Sequence, residues 1–377
     1  MHKYIMSIAM ASLSFGLFAV SEQTTLWKSG DGGIRVYRIP AICTAPNGDL
    51  VAVCDARSRH GGDLNTCQPI NISCRRSNDN GRTWSDPVNT WTWTWNDEEQ
   101  WAASDPSFVV DEQTKTIFLF YNVWECVNKR GVFQFFVQES TDNGVTWSKP
   151  RDISNDIAFN GWNFGGGDGQ GGFIFISSGS GSQLKDGTLM HTLVRVGGPT
   201  EVALFGSSDH GKTWRHFGNP AKQGDECKFV ELDDGRWMIN SRVAGTGYRE
   251  IHTSSDGGMT WTSVPDRALV DPACNGQLMR YPLKCARKTD KEANPALPES
   301  VLLFSNCKDP SRRINLFVRT SWDAGETWNE GVSIEPEGAA YSDMTILKDG
   351  RVGVLFEGAG YSTIRFCILE PREFLAR

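Results

Sequence analysis

One eight-residue pattern returns five times along this chain: Ser, any residue, Asp, any residue, Gly, any residue, Thr, Trp. Five near-identical octapeptides do not arise by chance, so the chain is built from a repeated unit. Asp can accept hydrogen bonds from backbone N–H groups two residues on, and Gly can adopt a positive φ, so each copy predicts a tight turn between strands with its Trp packed beneath. The copies are Ser77–Trp84, Ser140–Trp147, Ser207–Trp214, Ser254–Trp261 and Ser321–Trp328.

The spacing of these octapeptides indicates how many units the chain holds. Their tryptophans are 63, 67, 47 and 67 residues apart, so the chain holds about six units. At 377 residues the chain is too long for one ordinary core, yet no low-complexity linker divides it. The 39 glycines and the scarcity of helical periodicity favour strands and turns. We therefore predict an all-β fold, a six-bladed β-propeller of four-stranded antiparallel sheets, over residues 22–377.

Apolar runs of strand length lie where a propeller needs them. Three precede octapeptides, at residues 132–137, 201–205 and 314–319. Two more, at 351–356 and 363–369, come late in the chain, and we expect them to include the pairing that closes the ring. Three alternating tryptophans predict a strand with one aromatic face, interpreted as core between blades with a carbohydrate-stacking surface as the alternative: Trp91, Trp93 and Trp95.

The first 21 residues differ from the rest of the chain. His2 and Lys3 give a weakly basic start, residues 5–20 are apolar with small polar interruptions, and polar residues begin at Ser21. This layout predicts a signal peptide over residues 1–21, with an uncleaved anchor as the alternative. We expect a secreted or periplasmic protein, free or associated with the cell surface.

The ten cysteines are compatible with export, because an oxidising compartment would allow several disulfides. Their pairing cannot be deduced from the sequence. Cys43, Cys54 and Cys367 lie in apolar runs and are typical of small buried hydrophobic residues. No Cys-x-x-Cys pair occurs and the six histidines are scattered, so we expect no metal and no cofactor.

The sequence argues against nucleotides and nucleic acids as partners. Gly165–Gly172 contains a Gly-x-Gly-x-x-Gly match, but a strand-like run follows it in place of the helix that would hold a phosphate. The formal net charge is −7, and there is no basic run to follow a phosphate backbone.

The octapeptides and the segment Tyr37-Arg38-Ile39-Pro40 resemble the Asp-boxes and the Arg-Ile-Pro motif of bacterial-type exo-sialidases, or neuraminidases. The resemblance covers the chain after residue 21. Asp-boxes also occur in other propellers and in non-catalytic receptors, whereas the Arg-Ile-Pro motif is more specific. The resemblance implies a six-bladed propeller that removes terminal α-linked sialic acid from glycoconjugates with retention of configuration.

Sialic acid carries a carboxylate on its anomeric carbon, and arginine binds carboxylates best because it is always charged and forms bidentate bonds. Three arginines resemble the triad of that family: Arg38, Arg242 in Met238-Ile-Asn-Ser-Arg242, and Arg313. Arg312 is the alternative to Arg313, which is preferred because the family arginine directly precedes a strand.

A carboxylate nucleophile would be repelled by the carboxylate of the substrate, whereas a phenol is neutral until it is activated. Tyr341, in Ala339-Ala-Tyr-Ser-Asp343, resembles the nucleophile of the family. A tyrosine with an ordinary pKa near ~10 needs a base. Glu226 resembles that base, and Glu231 is the alternative.

The remaining predicted roles surround the leaving group and the sugar. Asp63, after two glycines in Arg57-Ser-Arg-His-Gly-Gly-Asp63, resembles the general acid and base of the family. Arg57 resembles an arginine that contacts the ring substituents, and Asp105 is a second polar contact. Glu357 is expected to hold Arg38 in place. Trp124 is a candidate for the wall of an N-acetyl pocket.

These residues predict an exo-α-sialidase that acts through a tyrosyl-enzyme intermediate. The expected partners are sialylated glycans on glycoproteins, gangliosides or oligosaccharides, and we expect a monomer. A trans-sialidase, including the intramolecular kind, would use the same residues. A non-catalytic glycan-binding propeller would keep the arginines but lose the acid, the base or the nucleophile, all three of which this sequence has.

Overall fold

The computed structural model of the chain describes residues 22–127, 133–157, 173–196, 200–286 and 297–376. The predicted signal peptide and the stretch Gly165–Gly172 lie outside these residues. The described strands form six sheets in which neighbouring strands are antiparallel, apart from one short parallel addition. The innermost strands contact those of the next sheet around a ring, and the sixth sheet contacts the first. The predicted six-bladed propeller is therefore confirmed.

The strands are as follows, in chain order. Strand β1 (Gln23–Lys28) comes first. Blade 1 contains β2 (Val36–Thr44), β3 (Leu50–Arg57), β4 (Ile70–Ser77) and β5 (Val88–Asn89). Blade 2 contains β6 (Trp101–Asp111), β7 (Thr116–Glu125), β8 (Phe133–Ser140) and β9 (Arg151–Asp152). Next come β10 (Phe173–Ile176), β11 (Gly179–Ser180) and β12 (Ser182–Gln183).

Blade 3 contains β10, β13 (Leu189–Val196), β14 (Glu201–Ser207) and β15 (Arg215–Lys222), with β12 paired to β13; β11 runs parallel to β6. Blade 4 contains β16 (Cys227–Glu231), β17 (Trp237–Ser241), β18 (Tyr248–Ser254) and β19 (Thr262–Val270). Blade 5 contains β20 (Gln277–Pro282), β21 (Ser300–Cys307), β22 (Ile314–Ser321) and β23 (Val332–Gly338). Blade 6 contains β24 (Ser342–Ile346), β25 (Val352–Gly358), β26 (Thr363–Leu369) and β1. Three 3₁₀ turns (Asp31–Gly33, Leu64–Thr66, Leu283–Cys285) and one short helix, α1 (Pro371–Phe374), complete the described structure.

The two ends of the chain close the ring. Strand β1 pairs antiparallel with β26, from Gln23 opposite Cys367 to Lys28 opposite Thr363. The run predicted at 363–369 is this closing strand, which confirms that part of the prediction. Its partner β1 comes from the start of the described chain, so blade 6 combines residues from both ends.

The core lies between the blades. Every residue of β3 and of β7 is buried, because each is the second strand of its blade and is covered on both faces by neighbouring blades. Trp93 stacks on Trp101 with ring centroids 6.0 Å apart and packs edge-on against Phe136. The interpretation of Trp93 as core is confirmed. The predicted strand is wrong, because Trp95 forms only a single bridge to Gln100 and Trp91 is 36% exposed. None of the described helices is long and apolar enough to cross a membrane.

The cysteines of the strand runs are buried, as expected. Cys43, Cys54 and Cys367 are free thiols within the core. Burial raises the pKa of each of these thiols, so they remain protonated and inert near neutral pH.

Each Asp-box forms the turn between the third and fourth strands of its blade in blades 1 to 5. In the first box, the Ser77 hydroxyl donates to Asp79 Oδ1 at 2.8 Å and accepts from the Gly81 N–H at 2.8 Å. Asp79 also accepts from the backbone N–H and the hydroxyl of Thr83, at 2.9 and 2.6 Å. The sequence-based expectation was wrong in one detail: the aspartate reaches the residue four positions on, not two.

The box also packs against the neighbouring blade. Gly81 has φ 82°, and a Cβ there would lie 2.3 Å from a ring carbon of Phe366 in blade 6. Trp84 packs edge-on against the same ring at 5.3 Å. In the third box, Trp214 packs in the same way against Phe118 of blade 2, also at 5.3 Å. Both the positive φ at Gly81 and the close approach of Phe366 from the neighbouring blade therefore require a glycine. The Trp of the box packs under the turn as predicted, and this packing is a contact between blades.

Replacing Asp79 by Ala is expected to lower Tm near neutral pH, with the difference shrinking in acid. Hydrogen bonds from Thr83 lower the pKa of Asp79 from its ordinary 3.8 to about 2. A carboxyl whose pKa falls on folding stabilises the protein above its unfolded pKa, and this stability is lost as the pH falls through the folded pKa. Thermal melts between about pH 7 and pH 2 measure the effect. Asp86→Ala, just beyond the same turn and exposed, is the matched control, and an equal loss of Tm in both variants would contradict the prediction.

Candidate active site

The antiparallel order of each blade brings distant residues to one mouth of the ring. The start of the first strand, the end of the second and the start of the third lie at this mouth, whereas the Asp-boxes follow the third strand and lie at the opposite end. The predicted residues at this mouth come from five blades: Arg38 on β2, Arg57 on β3, Asp63 after β3, Asp105 on β6, Glu226 before β16, Arg242 after β17, Arg313 before β22, Tyr341 before β24, and Glu357 on β25.

The Tyr341 phenol and the Glu226 carboxylate form a direct pair. The Tyr341 hydroxyl donates to Glu226 Oε2 at 2.6 Å, and both side chains are nearly buried. Arg242 Nη1 donates to the same Glu226 oxygen at 2.5 Å and to the Tyr341 oxygen at 3.2 Å. Burial, and then the charge of Glu226, raise the pKa of Tyr341 well above 10. At rest the phenol is therefore protonated, with its hydrogen already directed at the base.

Glu357 ties Arg38 to the tyrosine. Its side chain is fully buried and accepts from Arg38 Nε at 2.5 Å, from the Ile39 N–H at 2.8 Å and from the Tyr341 N–H at 3.2 Å. Ile39 has φ 56°, so this network holds the backbone beside Arg38 in the left-handed region. Because one carboxylate binds both segments, the positions of Arg38 and Tyr341 are fixed relative to each other.

Two arginines flank the tyrosine ring, and the structure distinguishes Arg313 from Arg312. The guanidinium carbons of Arg38 and Arg313 each lie 5.6 Å from the Tyr341 ring centroid. Arg313 donates to the Ala273 carbonyl at 3.1 Å and to the Tyr361 hydroxyl at 3.2 Å. The Arg312 side chain is 71% exposed and bonds Asp309. Arg313 is therefore the arginine that joins Arg38 and Arg242 at this mouth.

Glu231 lies away from the tyrosine. It ends β16, whereas Glu226 immediately precedes that strand, so the two glutamates mark opposite ends of it. The Glu231 carboxylate accepts from the Lys185 N–H at 2.8 Å. The structure therefore brings Glu226, and not Glu231, to Tyr341.

Asp63 lies on a loop that we call the acid loop, residues 58–63. Its side chain is 77% exposed, and Oδ1 accepts from Arg57 Nη1 at 2.8 Å. The Arg57 side chain is fully buried and also bonds the Gly61 carbonyl and Asp55. The structure thus places Arg57 between Asp55 and the acid loop, with its guanidinium bonded to protein groups and out of contact with solvent.

Asp105 lies beside this group in an unusual conformation. Its φ is 59°, its N–H donates to Asp55 Oδ1 at 3.1 Å, and its carboxylate accepts from Asn122 at 3.0 Å. Burial, and then the charges of Asp55 and Glu226, raise the pKa of Asp105 well above its ordinary value. The carboxyl is therefore suited to donate a hydrogen bond as a neutral acid.

A cavity of about 240 Å³ lies between the tyrosine–glutamate pair and the acid loop. Asp63, Asp105, Glu226, Arg242 and Tyr341 line it together with an apolar wall, which consists of Phe133, Phe173, Phe175 and Val196. Trp124 packs edge-on against Phe133 at 4.7 Å and is 7% exposed, so it supports this wall from outside the lining. The cavity combines charged groups on one side with aromatic rings on the other, as small-molecule sites do.

Several residues of the site had no distinct signal in the sequence. Tyr361 lies under Arg38, with the guanidinium carbon 4.5 Å from its ring, and accepts from Arg313. Asp55, two residues before Arg57 on the same face of β3, is the buried partner of that arginine. This Asp-x-Arg spacing was the one available clue. Within the described part of the chain, no group of His, Cys, Asp and Glu could hold a metal ion.

Fold and site define a class: a six-bladed β-propeller that gathers three arginines and a tyrosine–glutamate pair at one mouth of its ring. Residues 94–354 match the family described as BNR repeat-like domain. The chain is 35% identical over 384 residues to a sialidase of Micromonospora viridifaciens, which covers 96% of this chain and 56% of that protein. The chain belongs to the sialidase family.

Two solved structures share this fold. The Hadza microbial sialidase Hz136 superposes with a TM-score of 0.80 at 27% identity, over 93% of this chain and 69% of that one. A leech intramolecular trans-sialidase shares the fold, with a TM-score of 0.72 at 18% identity over 94% and 71% of the two chains. The chain spans little more than half the length of the Micromonospora protein.

Proposed function

We propose that this protein is an exo-α-sialidase that releases terminal sialic acid from glycans with retention of configuration. The observation that carries the proposal is the 2.6 Å hydrogen bond from the Tyr341 hydroxyl to Glu226, within a site of three arginines. A phenol bonded to a buried base is an activated nucleophile. The arginines beside the phenol would bind the carboxylate of the substrate. A carboxylate in place of the phenol would repel that group.

Binding would begin with the carboxylate of the substrate. Arg38 and Arg313 lie at equal distances from the Tyr341 ring, and Arg242 touches its hydroxyl. A carboxylate bonded to these guanidinium groups would place the anomeric carbon over the tyrosine oxygen. On a chain of net charge −7 this positive site is local, built by arginines that are themselves held by Glu357, Glu226 and the Ala273 carbonyl.

The first step would form the tyrosyl-enzyme. Tyr341 transfers its proton to Glu226 as its oxygen bonds the anomeric carbon, and the bond from that carbon to the leaving oxygen breaks. Asp63 gives a proton to the departing oxygen, so the aglycone leaves as a neutral alcohol. The second step reverses these roles: Asp63 takes a proton from water as the water oxygen bonds the anomeric carbon, the bond from that carbon to the Tyr341 oxygen breaks, and Tyr341 recovers its proton from Glu226. Two inversions give net retention.

Incubation with defined sialyllactoses tests the proposal. We expect free sialic acid and lactose, with the α-anomer formed first in proton NMR spectra recorded during turnover. Initial release of the β-anomer would contradict the retaining mechanism, and absence of any cleavage by the folded protein would contradict the activity. Sialic acid on an added acceptor, or bonded to its own hydroxyl, would identify a trans-sialidase. Export and a monomeric state stay predictions.

A further inference from the structure

Gln68 is a fully buried residue that the mechanism does not use, yet it organises the acid loop. Its side-chain Oε1 accepts from the N–H groups of Arg59 and His60, at 3.1 and 3.0 Å. Its Nε2 donates to the carbonyls of His60 and Gly62, at 3.0 and 2.8 Å, and lies 2.9 Å from His60 Nδ1. Both ends of one amide thus satisfy the backbone of three loop residues.

Gln68 and Arg57 hold different parts of the acid loop, and Thr66 bonds the Asp63 carbonyl through its N–H and its hydroxyl, at 2.9 and 2.6 Å. Arg57 holds the Gly61 carbonyl at 2.7 Å and the Asp63 carboxylate, while Gln68 holds Arg59, His60 and Gly62. Because the Asp63 side chain is 77% exposed, little packs against it directly. Its position therefore depends on the backbone of the loop, and the two adjacent glycines leave that backbone free to move unless the buried side chains fix it.

We propose that Gln68 is a positioning residue that holds Asp63 where it can protonate the leaving group. The inference rests on the proposed role of Asp63 as general acid. A displacement of about 1 Å at a catalytic group can cost about 10²-fold in rate. The effect depends on the substrate: a departing alkoxide of high pKa needs the proton of the acid, whereas a nitrophenolate leaves without it. Gln68 therefore governs the dependence of the rate on the leaving group.

The test compares two substrates and two variants. Gln68→Met keeps the length of the side chain but removes every hydrogen bond to the loop, and Gln68→Glu keeps the acceptor oxygen while losing the donors. For Gln68→Met we expect kcat/KM to fall at least about tenfold on 3′-sialyllactose and less than about threefold on 4-nitrophenyl sialoside. Gln68→Glu is expected to show the same selective loss and remains informative if the Met variant does not fold.

Two controls separate positioning from a general structural role. Gln138 is also fully buried and donates to the carbonyls of Thr90 and Ser148, at 3.2 and 2.7 Å, near the Asp-box end of blade 2. Gln138→Met should change kcat/KM by the same factor on both substrates. In an Asp63→Ala background, Gln68→Met should have no further effect on sialyllactose, since the residue acts through Asp63.

Each outcome decides the inference. The inference is wrong if Gln68→Met lowers kcat/KM equally on both substrates or lowers it on neither. It is also wrong if Gln68→Met causes its full loss of kcat/KM again in the Asp63→Ala background. Wild-type protein that cleaves neither substrate would instead contradict the proposed function, so the two failures are distinguishable.

Discussion

Tyr341→Phe is expected to reduce kcat/KM for an aryl sialoside by more than about 10³-fold, because it removes the oxygen that bonds the anomeric carbon. The ring itself remains, so the stacking of Arg38 and Arg313 around it is retained. Steady-state kinetics measure the loss. 2,3-Difluorosialic acid, which loses the fluoride on its anomeric carbon, should add covalently to the wild type, seen in the intact mass and mapped by peptide analysis to Tyr341. It should leave the Phe variant unlabelled.

Tyr361→Phe is the matched control for the loss of a phenol in this site. Its hydroxyl accepts from Arg313 at 3.2 Å and makes no bond to Glu226, so removing it costs one hydrogen bond to a charged group. Such bonds contribute about 1.5–3 kcal/mol, so the expected loss is about 10- to 150-fold, with labelling of Tyr341 retained. Near wild-type activity in folded Tyr341→Phe, or a label on another residue, would refute the assigned nucleophile.

Arg313→Leu is expected to lower kcat/KM for sialosides by about 30-fold to several thousand-fold. Truncating one partner of a buried, hydrogen-bonded charge pair costs about 2–5 kcal/mol, and here the other partner is the carboxylate of the substrate. Arg313 is the cleanest of the three arginines for this test. Its described bonds go to the Ala273 carbonyl and the Tyr361 hydroxyl, whereas Arg38 and Arg242 each neutralise a buried glutamate. The loss should therefore fall on substrate binding more than on stability.

The neighbouring arginine supplies the control. Arg312→Leu removes the same charge at the preceding position. The Arg312 side chain is exposed and bonds Asp309. It should change kcat/KM by less than about fivefold, since exposed ion pairs contribute at most about 1 kcal/mol. Circular dichroism and thermal melts should give folded protein for both variants. A larger loss in Arg312→Leu than in Arg313→Leu would reverse the assignment of the third arginine.

Local patterns in the sequence predicted the fold because a propeller repeats its signals. The run at 363–369 became β26 with the same bounds, since an apolar alternation between turn residues specifies a strand wherever it pairs. Its partner β1 was not predicted, because the pairing joins opposite ends of the chain and no local pattern carries that information. The bonding of Asp79 to Thr83 was also missed, since generic turn chemistry favours a closer residue.

The site was less predictable than the fold. The sequence favoured Glu226 but left Glu231 as the alternative. The structure separates them, because they stand at opposite ends of β16. The position of Arg57 could not be predicted from its residue type alone. It ends a strand that is buried on both faces, so its guanidinium must bond other protein groups, and the carboxylate of Asp55 is one of these. Tyr361 matters through contacts with Arg38 and Arg313, which form only when separate segments of the chain meet. Such contacts have no signature in the order of residues.

The pairing of β1 with β26 also sets the order in which the blades can be completed during synthesis. The first described strand to leave the ribosome has no partner until the last strand has been made, so blade 6 stays incomplete while the other five blades can fold. Glu357 of this blade bonds Arg38 of blade 1 and the Tyr341 backbone of its own blade. The network that fixes Arg38 beside Tyr341 therefore lies in a blade that is complete only after the two ends of the described chain have paired.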